Sequence, residues 1–209
     1  MTGPEPGIRA GYRGRRRPRR QSGWTRQDAC PAWEATISGM RYVRKAGSDP
    51  SFLLKALGEA SGEFRNALYG VPRRALVAPG AGPDEVWSML ALAVHVRDVE
   101  IGIHRQLEAI VNCRRGEPEI PHVGIDDIPF PEDVLDEDED EALEEFHHAR
   151  RQTAYALWDI SERDWERAGV HPYRGRMTIF EIVRELYQHD LEHLWQARRM
   201  FDALGLERR

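Results

Sequence analysis

Apolar residues recur at helical spacing along most of the chain beyond residue 50. The first apolar run consists of Phe52, Leu53, Leu57, Phe64 and Leu68. Asp49 followed by Pro50 is typical of a helix start, with a capping carboxylate and proline at the first helical position. Gly70-Val71-Pro72 ends the run. The pattern therefore predicts a first helix over about residues 50–69.

Further apolar runs predict three more long helices. The second helix is predicted from Pro83 to about residue 114, and the third over about residues 138–160. Thr178 and Glu181 form a capping-box sequence at the start of the last helix, which is predicted over about residues 179–203. The expected inward positions of the third helix are Leu143, Phe146, Tyr155, Leu157 and Trp158.

The segments between the predicted helices indicate how the helices are arranged. A long connection over residues 116–136, rich in proline and acidic residues, separates the second helix from the third. Residues 161–164 have the sequence of a single capped turn, and residues 169–175 are expected to be irregular. No alternation of apolar and polar residues is long enough for a sheet. The sequence therefore predicts an all-α four-helix bundle that contains one crossover connection.

The N-terminal segment differs sharply in charge from the rest of the chain. The formal net charge is −5, yet residues 1–50 hold 11 basic and 4 acidic residues, and residues 126–145 hold 12 acidic residues and no basic one. No periodic apolar face accompanies the arginine cluster. We expect residues 1–49 to be a disordered tail, or an extension upstream of a start at Met40. The bundle is then expected over residues 50–209.

Clustered arginines also neutralise phosphate groups, so a nucleic-acid-binding arm is the alternative interpretation of the tail. It is the weaker one, because the rest of the chain is acidic and no recognition element follows. The acidic run over residues 126–145 is interpreted as a solvated linker and helix start. It has neither the alternating acidic positions nor the glycine in the register that a calcium-binding loop requires.

Composition excludes several classes of protein. Of the 209 residues, 41% are hydrophobic and 31% are charged, as in an ordinary globular protein. The two cysteines, Cys30 and Cys113, exclude a disulfide framework and a cysteine-rich zinc module. No apolar stretch approaches the roughly 20 residues of a membrane span, and the basic N-terminus lacks the apolar segment of a secretory signal. We expect a soluble cytoplasmic protein with no membrane partner.

Three of the eight histidines have the spacing or surroundings of metal ligands. His189 and His193 lie four residues apart in the last predicted helix, so both imidazoles project from one face. His95 lies in the most apolar part of the second helix, where an unpaired imidazole is costly. Each feature also has an explanation without a metal, because core and surface histidines are often satisfied by hydrogen bonds. Periodicity does not show that these two helices face each other.

Several short motifs occur in an order that resembles the DinB/YfiT-like proteins. They are His95-Val96-Arg97-Asp98-Val99-Glu100, Trp165, Gly169-Val170-His171-Pro172 with Gly175 and Thr178, and His189-Asp190-Leu191-Glu192-His193 with Gln196. The resemblance covers about residues 51–203. It implies an up-down-down-up four-helix bundle with the crossover between helices two and three. It also implies a divalent metal bound by His95, His189 and His193.

The resemblance leaves the reaction open. Characterised relatives include metal-dependent S-transferases that use bacillithiol or mycothiol, a mycothiol-dependent maleylpyruvate isomerase, and hydrolases. Many relatives form homodimers, and the similar metal domain of ergothioneine-forming sulfoxide synthases uses iron. Three imidazoles suit Zn, Ni, Fe or Co and leave coordination positions open for catalysis. Asp98 and Glu185, each within one turn of an expected ligand, are candidates for orienting the ligands.

The leading prediction is a metal-dependent S-transferase in which a low-molecular-weight thiol attacks a small electrophile. An external thiol is favoured because Cys30 lies in the tail and Cys113 at the end of the second helix. One alternative is a hydrolase that uses metal-activated water. The other is a non-catalytic bundle that binds a metal or ligand, linked to a stress response. A homodimer is expected in each case.

Overall fold

The computed structural model describes residues 49–79, 87–127 and 131–206. Its elements in chain order are α1 (Pro50–Leu68), α2 (Arg73–Leu76), α3 (Met89–Asn112), α4 (Pro131–Val134), α5 (Glu139–Trp158), a 3-10 turn (Glu162–Glu166), β1 (Ala168–His171), β2 (Gly175–Thr178) and α6 (Ile179–Ala203). The long helices α1, α3, α5 and α6 are the four predicted from the sequence. None of the helices described is long and apolar enough to cross a membrane.

The predicted basic tail lies outside the described residues, apart from Asp49. Its disorder, the possible start at Met40 and a nucleic-acid-binding role therefore stay predictions. Asp49 itself caps α1, because its carboxylate accepts a hydrogen bond from the backbone N–H of Ser51 at 2.9 Å.

The predicted start of α6 is confirmed, whereas that of α3 is wrong. At α6, the Thr178 hydroxyl accepts from the backbone N–H of Glu181, and the Glu181 carboxylate accepts from the N–H of Thr178. Helix α3 begins at Met89, because Ser88 is its N-cap and accepts from the N–H of Ala91 at 3.0 Å. Pro83 and the acidic residues after it resemble a helix start in sequence, but the actual cap lies five residues later.

Two apolar clusters divide the core and give the direction of each long helix. One cluster contains the later residues of α1 and α6 and the earlier residues of α3 and α5, among them Phe64, Leu92, Phe146 and Met200. The other contains the opposite ends, among them Leu53, Ile110, Leu157 and Ile182. Helices α1 and α6 therefore run one way and α3 and α5 the other, and both α1 and α3 pack against α5 and α6. The up-down-down-up topology is confirmed.

The crossover between α3 and α5 returns along the side of the bundle. It begins beside the second cluster with Ile120 and reaches the first cluster with Val134. Gly102 of α3 lets the crossover approach closely, since a Cβ there would lie 2.8 Å from the side chain of Val123. The crossover is therefore packed on α3 and forms one wall of the space described below.

A short hairpin replaces the irregular segment expected before α6. Strands β1 and β2 pair antiparallel, with Ala168 opposite Thr178 and His171 opposite Gly175. The crossover adds a parallel bridge at Val170, whose N–H donates to the carbonyl of Pro118 at 2.8 Å. The prediction that no sheet forms was wrong because strands of four residues are too short to show alternation.

Helix α5 has polar residues on the side that faces the core, so the prediction of its inward residues was only partly correct. Leu143, Phe146 and Leu157 are buried as predicted, but Tyr155 and Trp158 are 85% and 81% exposed. The fully buried side chains on the inward face instead include Arg150 and Thr153. An apolar pattern cannot identify a face whose middle is occupied by charged and polar groups.

Arg150 joins all four long helices through buried polar contacts. Its Nε donates to Glu100 of α3 at 2.8 Å, and its Nη1 donates to Asp190 of α6 and to the carbonyl of Leu57 of α1, both at 2.6 Å. Thr153 donates to the other oxygen of Glu100 at 2.6 Å. Burial lowers the pKa of Arg150, but the two carboxylates outweigh this effect and hold the pKa above its ordinary value. On α5 and α6 this polar layer lies between the buried apolar residues of the two clusters.

Replacing Arg150 by methionine is expected to lower the free energy of unfolding by about 3–5 kcal/mol, because two buried carboxylates lose their shared cation. Urea denaturation of Arg150→Met beside Arg151→Met, which removes an exposed arginine of the same helix, measures the effect. Equal stability of the two variants would contradict the structural role of the layer.

A second comparison tests the orientation of α5. Phe146→Ala is expected to lower the free energy of unfolding by about 3–5 kcal/mol, since the ring is buried and packs edge-on against Phe64 at 5.8 Å. Tyr155→Ala is expected to change it by less than about 0.5 kcal/mol. Thermal or urea unfolding of both variants distinguishes this orientation from the one predicted from the sequence.

Candidate metal centre

Three imidazoles from two helices meet in the middle of the bundle. Nε2 of His189 lies 2.9 Å from Nε2 of His95 and 3.0 Å from Nε2 of His193. These are the only three described residues whose histidine, cysteine or carboxylate ligand atoms gather closely enough for a shared ion. Two nitrogens about 2.1 Å from one ion and roughly at right angles lie about 3.0 Å apart. The spacing therefore fits one ion bound by all three nitrogens.

Burial keeps the predicted ligands neutral. His95 and His189 are only 3% and 7% exposed. Burial and, to a smaller extent, the neighbouring His193 together lower the pKa of His95 to about 4. Burial also lowers the pKa of His189 to about 2, with smaller contributions from His193, His95 and Arg150. Since a neutral imidazole is the form that binds a metal, the rings of His95 and His189 are ready for coordination at neutral pH.

Two of the three ligands have partners for their second ring nitrogen. Nδ1 of His193 lies 2.7 Å from Oε1 of Gln196, which places a proton on Nδ1 and the lone pair on Nε2, the atom that would coordinate an ion. The backbone of Ile125 and Asp127 in the crossover hydrogen-bonds to His95. Nδ1 of His189 is buried without a hydrogen-bond partner among the described residues. The donor set thus fits a divalent ion through Nε2 of each ring.

His189 and His193 border a cavity of about 620 Å³, and His95 borders a neighbouring one of about 410 Å³ that shares Val123, Gly124 and Asp127 with it. Trp87 covers the other side, with its ring 4.9 Å from that of His95 and 5.7 Å from that of His193. The crossover, the hairpin and α6 supply most of the remaining wall, which includes His122, Val123, Ile125, Asp126, His171, Arg174, Met177, Glu185, Gln188 and Glu192. A space of this size holds a small organic molecule beside the three nitrogens.

Asp98 and Glu185 lie near the triad but are paired elsewhere. The carboxylate of Asp98 accepts from Nε of Arg97 at 2.9 Å and is 59% exposed. The carboxylate of Glu185 lines the cavity and pairs with the guanidinium of Arg174. Their suggested role in orienting the ligands stays a prediction, while the atoms that approach the second ring nitrogens belong to Gln196 and to the crossover backbone.

Sequence reasoning missed the polar groups that hold the triad in place. Asp190 follows His189 directly and is buried against Arg150, and Glu100 lies on α3 beyond His95. The sequence did offer a signal for them, a carboxylate within an otherwise apolar helical section. Such a group is seldom buried without a partner, so the signal indicates a buried polar contact. The pair of His122 and His171, which also lines the cavity, gave no such signal because both lie in non-helical segments.

Comparison with known proteins agrees with this fold. A family model for the DinB superfamily matches residues 42–197. The chain belongs to the DinB superfamily. No curated protein matches it.

A solved structure with the same kind of bundle is YfiT from Bacillus subtilis, described as a probable metal-dependent hydrolase with an unusual four-helix bundle topology. The two proteins share 13% sequence identity with a TM-score of 0.63, over 74% of this chain and 87% of YfiT. At this identity the likeness shows the fold of our DinB-superfamily protein and leaves its chemistry to its own residues.

The metal site is tested by removing one ligand. We expect native protein purified without a histidine tag to hold about one divalent ion per chain, and His193→Ala to lose it, because two imidazoles bind a first-row ion much more weakly than three. Elemental analysis measures the metal content. His148→Ala, which removes an exposed histidine from α5, is the matched control. Equal metal in His193→Ala and the control would exclude this site.

Proposed function

We propose that this DinB-superfamily protein is a metal-dependent S-transferase that joins a low-molecular-weight thiol to a small electrophile. The observation that carries the proposal is a set of three imidazoles whose Nε2 atoms lie close together, two of them on the wall of a cavity of about 620 Å³. Three protein ligands leave positions open, which is typical of catalytic rather than structural sites.

His95, His189 and His193 would hold the ion through Nε2. A divalent ion such as zinc or nickel lowers the pKa of a thiol or water molecule and so supplies a nucleophile at neutral pH. Around that position, Gln196 fixes the ring of His193 through its Nδ1, and the Trp87 ring limits the access of water.

An external nucleophile is favoured because the cavity wall offers none of the usual ones. No cysteine, serine, threonine or lysine is among the described residues that line it. Cys113 lies at the end of α3, where its thiol contacts the carbonyls of Arg115 and Gly116. The cavity extends well beyond the space one ion needs, which suits the simultaneous binding of a thiol and an electrophile.

A hydrolase is the second candidate, and the likeness to YfiT favours it. The same three imidazoles would then serve a reaction in which water replaces the thiol. Both candidates need the ion and the cavity, and they differ only in the nucleophile that the cavity accepts.

The test uses the zinc- or nickel-loaded chain with bacillithiol, mycothiol or cysteine, and with an α,β-unsaturated ketone or an alkyl halide as electrophile. We expect thiol conjugation that His193→Ala lowers by at least about 100-fold and that His148→Ala leaves unchanged. Loss of thiol and formation of the thioether, followed by mass spectrometry, measure it.

Hydrolysis of phenyl esters without any thiol would select the hydrolase instead. Stoichiometric metal with turnover of neither substrate class would leave a metal- or ligand-binding bundle and contradict the proposed transferase.

A further inference from the structure

A second pair of histidines lines the cavity and lies outside the metal triad. His171 ends strand β1 and is 4% exposed, whereas His122 is exposed on the crossover. Nε2 of His171 lies 3.3 Å from Nδ1 of His122. The bridge between the crossover and Val170 holds these two segments side by side. Both rings therefore have fixed positions on the wall formed by the hairpin and the crossover.

The hairpin turn determines where the proton of His171 lies. The backbone N–H groups of Tyr173 and Arg174 both donate to Nδ1 of His171, at 3.2 Å each. A nitrogen that accepts from two N–H groups carries no proton, so neutral His171 has its proton on Nε2. Burial lowers the pKa of His171, as do His122 and Arg174, with Glu185 acting in the opposite direction. The ring is therefore neutral at neutral pH.

The proton of His171 in turn determines that of His122. Nε2–H of His171 faces Nδ1 of His122, which must accept the hydrogen bond and hence carries no proton. Neutral His122 then has its proton on Nε2. No other hydrogen bond to His122 is present among the described residues, so this N–H is available to a bound molecule.

We propose that His122 presents its Nε2–H as a fixed hydrogen-bond donor to an oxygen of the substrate in the cavity, and that His171 is the positioning residue that enforces this tautomer. The inference rests on the proposed function and adds a substrate class to it: electrophiles that carry a carbonyl or carboxylate oxygen. No proton is transferred, because a neutral imidazole acts here by polarising its acceptor.

The surroundings of His122 support a role in binding rather than in folding. The ring of Tyr173 stands edge-on to that of His122 at 5.2 Å and is largely exposed at the same rim. Arg174, the nearby cation on the cavity wall, is already paired with Glu185. The Nε2 atom of His122 is thus a polar group at this rim whose hydrogen-bonding capacity is not used within the described residues.

The tautomers can be measured without any turnover. We expect two-bond ¹H–¹⁵N spectra of the zinc-loaded full chain, labelled in its histidines, to show the Nε2–H form for both rings at mildly alkaline pH. His122→Ala and His171→Ala identify the two sets of signals. In His171→Ala the His122 ring is expected to become a mixture of tautomers, because its Nδ1 loses the donor. An Nδ1–H form of either ring in the native chain overturns the proposal.

Kinetics test the substrate class. His122→Ala is expected to lower kcat/KM for the α,β-unsaturated ketone about tenfold more than for the alkyl halide, which has no oxygen acceptor. His122→Gln is expected to restore part of the difference, since its amide N–H can take the place of Nε2–H. Metal content should stay at the native level in both variants.

The outcomes separate this inference from the proposed function. Equal losses for the two electrophiles in His122→Ala overturn the role of His122 while the transferase stands. Failure of the native chain to conjugate any electrophile overturns the transferase, and the ring spectra then decide on their own whether the fixed donor exists.

Discussion

The arrangement of this bundle depends on one buried cation, Arg150, that is shared by groups on the three other long helices. A buried ion pair costs desolvation, so its effect is to penalise every packing in which the partners fail to meet. Leu57, Glu100 and Asp190 reach Arg150 only when α1, α3 and α6 have their observed relative heights. We infer that the polar layer fixes the register of helices whose apolar contacts alone would tolerate sliding.

The candidate metal centre inherits its geometry from that register. His189 directly precedes Asp190, so the contact between Asp190 and Arg150 sets the height of α6 relative to α5, and Glu100 connects α3 to the same arginine. His95 then lies opposite His189 with its Nε2 at 2.9 Å. The helices provide rigid supports, which is the arrangement that a precise ligand set requires. This arrangement requires a layer of buried charged groups where apolar side chains would otherwise form the core.

One side of the bundle becomes a candidate chemical site through the residues that the crossover and the hairpin contribute. The crossover contributes backbone partners for His95. Shortly before these residues in the chain, it also contributes the exposed ring of His122. The hairpin contributes His171, whose Nδ1 is occupied by backbone N–H groups of its own turn. One cavity is thus lined both by two of the candidate metal ligands, His189 and His193, and by the proposed donor His122.

The sequence by itself determined the four long helices, their caps at Asp49 and Thr178 and the candidate ligands, because periodicity and capping are local properties. Tertiary structure alone decided the rest. Sequence signals were too short or in competition at three places, where only packing decides the structure. These are the start of α3 after its cap Ser88, the hairpin, and the exposed side of α5. Most of all, the meeting of His95 with His189 and the burial of Arg150 required the folded bundle, since no local pattern encodes which residues 40 or more positions apart will share one space.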